Sequence, residues 1–235
     1  MTEMTQAVVV VPAHNEFAAL PRCLRAVLAA AENAPIPVLV VAVLDACDDD
    51  SASLSQRFGP DVVFREIDEQ NVGAARAAGF RFARSVLTSP GDRTWYATTD
   101  ADTQVGPEWL LAQLDHDADV VLGVVHVENW RHHPDEVADR YERSYESDEP
   151  GHGHIHGANM GCRADAYWRV GGFRSLASGE DADLAKRFEA AGFRIHWDDD
   201  LSVATSDRRN GRAAGGFADH LVALAREVAA EGEAS

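Results

Sequence analysis

Basic side chains are scarce in this sequence. The 235 residues include 21 Lys and Arg against 39 Asp and Glu, so the formal net charge is −18. A negative field of this size repels nucleic-acid phosphates and anionic lipid headgroups, and binding to either would need a local basic patch. No basic run is longer than two residues, as in Arg208-Arg209. We therefore expect no nucleic-acid partner and no polybasic attachment to a membrane.

Cysteine is sparse too, and no apolar run is long. Cys23, Cys47 and Cys162 are widely spaced and form no C-x-x-C pair, which argues against a disulfide framework or a zinc knuckle. The longest apolar run, residues 34–44, is too short for a transmembrane segment and contains two prolines. The N-terminus carries Glu3 where a signal peptide carries basic residues. These features predict a soluble, cytoplasmic protein.

Short β-branched runs alternate with longer helical stretches in the first 127 residues. This alternation is typical of βαβ units around a mostly parallel, buried sheet, and it predicts an α/β fold. The predicted strands are 8–11, 38–44, 62–64, 94–99 and 120–127. The predicted helices cover 20–28, a short segment capped by Ser51, 73–87, and a segment that begins at Pro107.

The composition changes after Glu128: from there to Pro150 the chain is polar and contains no strand-like run. We predict two halves of one domain, residues 1–127 and 128–235. The second half should contain an amphipathic stretch at 163–170, a helix at 181–191 closed by Gly192, a strand at 193–197 and a helix at 217–230.

Polar clusters follow the predicted strands. In an open α/β sheet the loops at the carboxyl ends of the strands form one crevice, where ligands bind. Asp45 ends a strand there and could accept hydrogen bonds from a base or ribose, or simply belong to a turn. Asn71 and Gly73, followed by Arg76, place a helix N-terminus and a cation near the same crevice. These residues could form an anion-binding site. The simpler interpretation is that Gly73 is a turn residue and Arg76 lies on a solvated helix face.

Asp100 and Asp102 are the most explicit chemical signal. In an extended segment residues i and i+2 point the same way, so both carboxylates could meet at one point. Mg²⁺ or Mn²⁺ binds one or two carboxylates and completes its shell with water and phosphate oxygens, which suggests a diphosphate substrate. The alternative is a helix cap followed by a solvated turn.

Six motifs in order make the sequence, from about residue 7 to 200, similar to family 2 glycosyltransferases. They are Pro12-Ala13-His14-Asn15-Glu16, the Asp45 loop, Asn71 to Gly79, Asp100-Ala101-Asp102, Gly171-Gly172-Phe173 and Gly179 to Leu184. The resemblance implies a GT-A (Rossmann-like) fold with a mixed, mostly parallel sheet, flanking helices and a C-terminal acceptor-binding half. It also implies a nucleotide-diphosphate-sugar donor, a UDP- or GDP-sugar, with Mn²⁺ or Mg²⁺ and inverting transfer.

The same resemblance assigns roles residue by residue. Asp45 is expected on the base, Arg76 near the diphosphate, Asp102 as the direct metal ligand, and Asp100 on the ribose or a metal-bound water. Asp181 is the expected general base. The chemistry agrees, because an inverting displacement needs one base to take the proton of the acceptor hydroxyl and one cation to stabilise the departing diphosphate. The remaining donor-side residues are Pro12, His14, Asn15, Glu16, Asn71 and Gly73; the acceptor-side residues are His156, Gly157, Asn159 and Glu180.

One family signature is missing. The Arg/Gln-x-x-Arg-Trp motif that accompanies processive polymerisation is absent, and residues 206–212 lie where it might have been. A single, non-processive transfer to an unknown hydroxyl acceptor is therefore expected, with the oligomeric state, a homodimer included, left open. His152, His154 and His156 alternate and could bind a transition metal, but the glycines between them favour a flexible loop.

Two other functions compete with sugar transfer. A sugar-phosphate nucleotidyltransferase would need a Gly-rich loop after the first strand, and residues 12–16 contain no glycine. An inactive nucleotide-binding module of the same fold is disfavoured by the intact pairs Asp100/Asp102 and Glu180/Asp181.

Overall fold

A computed structural model describes residues 3–88, 93–143, 155–209, 211 and 216–233. The strands are β1 (Gln6–Ala13), β2 (Val38–Asp45), β3 (Val63–Ile67), β4 (Thr94–Thr98), β5 (Val120–Val127), β6 (Met160–Arg163) and β7 (Ile195–Thr205). The α-helices are α1 (Leu20–Asn33), α2 (Leu54–Phe58), α3 (Val72–Val86), α4 (Trp109–Asp115), α5 (Asp135–Arg143), α6 (Ala164–Arg169), α7 (Glu180–Ala190) and α8 (Phe217–Glu233).

The strands form one seven-stranded sheet in the order β3-β2-β1-β4-β6-β5-β7. All pairings are parallel except those of β6, which runs antiparallel to both β4 and β5. The predicted α/β architecture is thus confirmed, with helices on both faces. The sheet is continuous across residue 127, because β6 from the second half lies between two strands of the first.

The core has two layers, one on each face of the sheet. Val9 and Val11 of β1 pack on one face with α1 and α4, whereas Val8 and Val10 pack on the other with α3, α6 and α7. A strand that is covered on both faces is apolar at every position, which explains the uninterrupted valine run. Because both faces are covered, ligands are left with the ends of the strands.

Three local expectations need correction. The segment after β2 is capped by Asp49, whose carboxylate accepts from the backbone N–H of Ser51, so Ser51 is not the cap. The strand β6 was not predicted, since it has four residues and one is Gly161. The last strand is longer than predicted. Gly123 pairs with Asp198 but Val124 pairs with Ser202, so β7 contains a bulge. The acidic residues of this bulge do not resemble a strand in sequence, which is why the second half of β7 was not predicted.

Two further points concern predicted membrane and metal features. Among the described residues, no helix has both the length and the apolar character of a membrane span. His152 and His154 lie outside the described residues, so the interpretation of the alternating histidines is not addressed by the structure.

Candidate active site

The loop after β1 and the loop after β2 are bound to each other. Asn15 adopts a positive φ of 55°, and its side-chain oxygen accepts from the backbone N–H groups of Asp48 (2.8 Å) and Asp49 (3.3 Å). His14 Nδ1 lies 2.7 Å from the carbonyl oxygen of Asp45. Pro12 is buried within β1. The predicted donor-side residues at the end of β1 are therefore held by hydrogen bonds to the next loop, at the carboxyl edge of the sheet.

Asp45 organises a neighbouring turn. Its carboxylate is only 3% exposed and accepts three backbone N–H groups, from Glu69 (2.7 Å), Gln70 (2.9 Å) and Asn71 (2.7 Å). These bonds hold Gln70 at a φ of +50°, in the left-handed region. The expected contact with a base stays a prediction, and sequence reasoning missed this supporting role.

The start of α3 is fixed by its first residues. The side-chain oxygen of Asn71 caps the helix at the N–H of Ala74 (2.9 Å), and its amide donates to the carbonyl of Leu176 (2.7 Å). A Cβ on Gly73 would lie 2.1 Å from the carbonyl oxygen of Arg174. Glycine is thus required here by close packing of two backbone segments, whether or not a ligand lies nearby.

Arg76 is a buried link between two predicted motifs. Its side chain is 3% exposed; Nη2 lies 2.6 Å from Asp100 Oδ1, and Nη1 pairs with Glu180 Oε1. Burial lowers the pKa of Arg76, but these carboxylates outweigh it, so the pKa lies above its usual value. A Cβ on Gly157 would come within 2.5 Å of Arg76 Nη2, so glycine is needed to admit the guanidinium.

Asp100 and Asp102 do not lie in an extended segment, contrary to expectation. The N–H of Thr103 donates to the carbonyl of Asp100 at 3.0 Å, which closes a turn directly after β4. The two carboxylates consequently have different cationic partners. Asp100 pairs with Arg76, and Asp102 Oδ2 lies 3.2 Å from Arg208 Nη2.

The surroundings of Asp102 disfavour its ionised form. Desolvation raises its pKa to about 6; Arg208 opposes this shift, while Asp100 and Glu16 reinforce it. Glu16 is itself buried and pairs with the same guanidinium of Arg208. Glu16 and Asp102 thus share one arginine, with the charge of Asp100 nearby, and a multivalent cation would also favour this arrangement.

Asp181 lies in the first turn of α7, where two backbone N–H groups hold its carboxylate. Gly157 N–H donates to Oδ2 and Ala182 N–H donates to Oδ1, each at 2.7 Å. Gly179, with a φ of +71°, turns the chain into the helix. Asp181 therefore has a fixed orientation beside the Arg76–Glu180 pair.

Asn159 does not line an acceptor site, in contrast to the expectation. Its residue is 0% exposed; its oxygen accepts from Trp109 Nε1 (2.8 Å), and its amide donates to the carbonyls of Val124 (2.9 Å) and Leu201 (2.7 Å). Asn159 thus joins Trp109 to β5 and β7 inside the protein. His156 is partly buried, with its ring 6.3 Å from that of Phe217.

The family model for "Glycosyl transferase family 2" matches residues 8–171, which is 164 of the 235 residues. The chain belongs to this family. This membership decides against the nucleotidyltransferase alternative. A search of curated proteins finds no match to the sequence.

Solved structures that resemble this chain have the same GT-A fold. The mannosyltransferase PcManGT from Pyrobaculum calidifontis, in complex with GDP-Man and Mn²⁺, has a TM-score of 0.67 and 20% identity, covering 90% of this chain and 59% of that one. S. aureus TarS 1-349 in complex with UDP-GlcNAc has a TM-score of 0.65 and 16% identity, covering 97% of this chain and 66% of that one. The chain thus spans about six-tenths of the length of these two structures.

The candidate site also has residues that the motifs did not indicate. Asp207 is buried and accepts from the backbone N–H of His132 at 2.6 Å, and its Oδ1 lies 2.7 Å from His132 Nδ1. Arg209 donates to the carbonyl of His132. With Arg208 on Glu16 and Asp102, the segment that follows β7 joins the donor-side turn to the loop after β5. The only sequence signal was its position at the expected site of the missing Arg/Gln-x-x-Arg-Trp motif.

Proposed function

We propose that this glycosyltransferase moves a sugar from a nucleotide-diphosphate donor to a hydroxyl acceptor, with inversion and in a single transfer. The observation that carries the proposal is the buried guanidinium of Arg76, which contacts both Asp100 and Glu180. It brings the Asp100–Asp102 turn and the first turn of α7 to the same point in the crevice. A leaving group held at the Asp100–Asp102 turn and a base in the first turn of α7 would then be separated by about the Arg76 side chain that links them.

The carboxylates fit a divalent cation. Asp102 would hold Mn²⁺ or Mg²⁺ directly, with Asp100 beside it, and hard oxygen ligands suit both ions. Arg208 Nη2 lies 3.2 Å from Oδ2 of Asp102, so a cation bound there would share this carboxylate with the arginine. When bound, the cation would neutralise charge that develops on the departing diphosphate. The Mn²⁺ in the PcManGT complex supports this assignment.

The proposed step uses Asp181 as the base. The acceptor hydroxyl gives its proton to Asp181 as its oxygen forms a bond to C1 of the sugar. The bond from C1 to the diphosphate oxygen breaks, and the nucleoside diphosphate leaves with the electron pair. The two backbone N–H groups on Asp181 fix its direction, and each carboxylate oxygen has lone-pair capacity left for that proton.

The donor is proposed to be a UDP- or GDP-sugar. The neighbours carry one of each, UDP-GlcNAc in TarS and GDP-Man in PcManGT, so they support the class without selecting the base. Thermal shift with UDP, GDP and their sugars, each with Mn²⁺ or with chelator, distinguishes them, because a ligand that binds the folded state raises the midpoint.

The decisive experiment compares Asp181→Asn with Asp183→Asn. The first keeps the size of the side chain and one of its two acceptor oxygens but cannot accept the proton, so transfer should fall about 10²–10⁴-fold with donor affinity unchanged. Asp183 lies two residues further along α7 and forms a partly buried pair with Arg187, which makes it a matched control. Glu180→Gln is a poor control because Glu180 is paired with buried Arg76. A near-parental rate for Asp181→Asn would place the base elsewhere.

A further inference from the structure

Two histidines and an aspartate lie together far from the crevice. His116 follows α4, and His196 and Asp198 are two residues apart on β7, so they share one face of that strand. One ligand atom from each lies within 4.8 Å of the other two. Since β5 and β7 run parallel to β4, the group lies toward the amino ends of these strands, at the opposite edge from Asp102.

The carboxylate of Asp198 is already oriented by the backbone. Its Oδ1 accepts the N–H groups of Asp200 and Leu201, each at 3.0 Å, within the bulge of β7. Its Oδ2 then lies 2.9 Å from His116 Nε2. Backbone donors of this kind fix a metal ligand in the way that outer partners do in known sites.

The imidazoles are close as well. The rings of His116 and His196 have centroids 3.8 Å apart and an interplanar angle of 29°. All three residues are partly buried, with side-chain exposures of 31% for His116 and 11% for Asp198, so solvent ions can reach them.

The surrounding charge favours a cation. Arg194, the nearest basic residue in sequence, is already paired with Asp117 and Asp119. Five acidic side chains in addition to Asp198 stand on the two segments that carry the cluster: Asp115, Asp117, Asp119, Asp199 and Asp200. These acids outnumber Arg194, so the two segments are net negative, within a chain of net charge −18.

We propose that His116, His196 and Asp198 form a binding site for a transition-metal ion of the Zn²⁺ type. Two imidazoles and one carboxylate are a ligand set for Zn²⁺, with water in the fourth position, and a poor one for Mg²⁺, which requires oxygen ligands. Tetrahedral Zn²⁺ holds its ligand atoms about 3.3 Å apart. His116 Nε2 and Asp198 Oδ2 are 2.9 Å apart and all three ligand atoms lie within 4.8 Å of one another, so side-chain rotations that also separate the stacked rings would reach that geometry. Any proton between His116 Nε2 and Asp198 would be released on binding.

The test is Zn²⁺ titration of the untagged full chain by calorimetry, in excess Mg²⁺ so that the crevice carboxylates are occupied. We expect one Zn²⁺ per chain at this site, and a loss of affinity in His116→Gln larger than the roughly 10–100-fold cost of removing an outer partner. His116 is partly exposed at a helix end, so this variant should fold; circular dichroism checks it, and His196→Gln provides a second ligand deletion.

Matched controls separate this site from other histidines and from the proposed donor site. His126→Gln changes a histidine of β5 that contacts Ser202, and His156→Gln changes one in the crevice region; both should bind Zn²⁺ as the parent does. Asp102→Asn should also retain the site. Unchanged affinity in His116→Gln, no Zn²⁺ binding by the parent, or loss in His156→Gln alone would each overturn the proposal.

Discussion

Asp102→Asn should make the protein more stable at neutral pH. Asp102 faces Arg208, Asp100 and Glu16, and its pKa is raised to about 6 because desolvation outweighs the attraction of Arg208. Asparagine has nearly the same shape and carries no charge. It therefore mimics the protonated acid, which this environment prefers.

The magnitude follows from linkage. The unfolded carboxyl ionises near pH 3.8 and the folded one near pH 6. Between these values the folded state holds the extra proton, so stability falls as pH rises, and the full cost is present above pH 6. A difference of about 2 pKa units corresponds to about 3 kcal/mol. The attraction of Arg208 is already contained in this net shift, so Asp102→Asn should gain up to about 3 kcal/mol at pH 7.5.

Urea unfolding followed by circular dichroism, with chelator present, measures this gain at pH 7.5 and pH 4.5. The stability difference between Asp102→Asn and the parent should be large at pH 7.5 and small at pH 4.5. Asp100→Asn is the contrast: it removes a partner of buried Arg76, so it should lower stability at pH 7.5. A less stable Asp102→Asn at pH 7.5, or a difference independent of pH, would refute the reasoning.

Three further outcomes are expected. Gly157→Ala should destabilise the fold by about 1–3 kcal/mol, measured by urea unfolding, because its Cβ meets the guanidinium of Arg76 at 2.5 Å. Asp45→Ala should leave three backbone N–H groups without their acceptor, so hydrogen exchange at residues 69–71 should accelerate and nucleotide affinity by calorimetry should fall while its metal requirement remains. Arg208→Gln should raise affinity for Mn²⁺ in the absence of nucleotide, since it removes the cation that pairs with Asp102 and Glu16; unchanged Mn²⁺ affinity in calorimetry would contradict this.

Local patterns predicted most elements because the physics that forms them is local. Asn71 ahead of an apolar helix predicts a start that the capping bond to Ala74 confirms. The run 120–127 predicts a strand with the observed bounds. A short strand that contains Gly161 gives no such signal, and its place in the sheet depends on contacts with β4 and β5.

The contacts of the site could not be predicted in the same way. Arg76 meets Glu180 across 104 positions, and Arg208 meets Glu16 across 192. No period or spacing in the sequence encodes such pairs. Asn159 shows the same limit: its motif suggested contact with a ligand, but Trp109 and two strand carbonyls bury it completely.

The position of β6 has a consequence for the order in which the molecule can be assembled. During synthesis β4 and β5 emerge first, yet they do not pair with each other, because β6 lies between them. Until residue 163 has left the ribosome, each of these strands keeps an unpaired edge of the kind that promotes aggregation. Because the partners of β5 in the described sheet are β6 and β7, β5 cannot join the sheet until β6 is available to pair with β4. A fragment that ends at residue 127 would retain those open edges permanently.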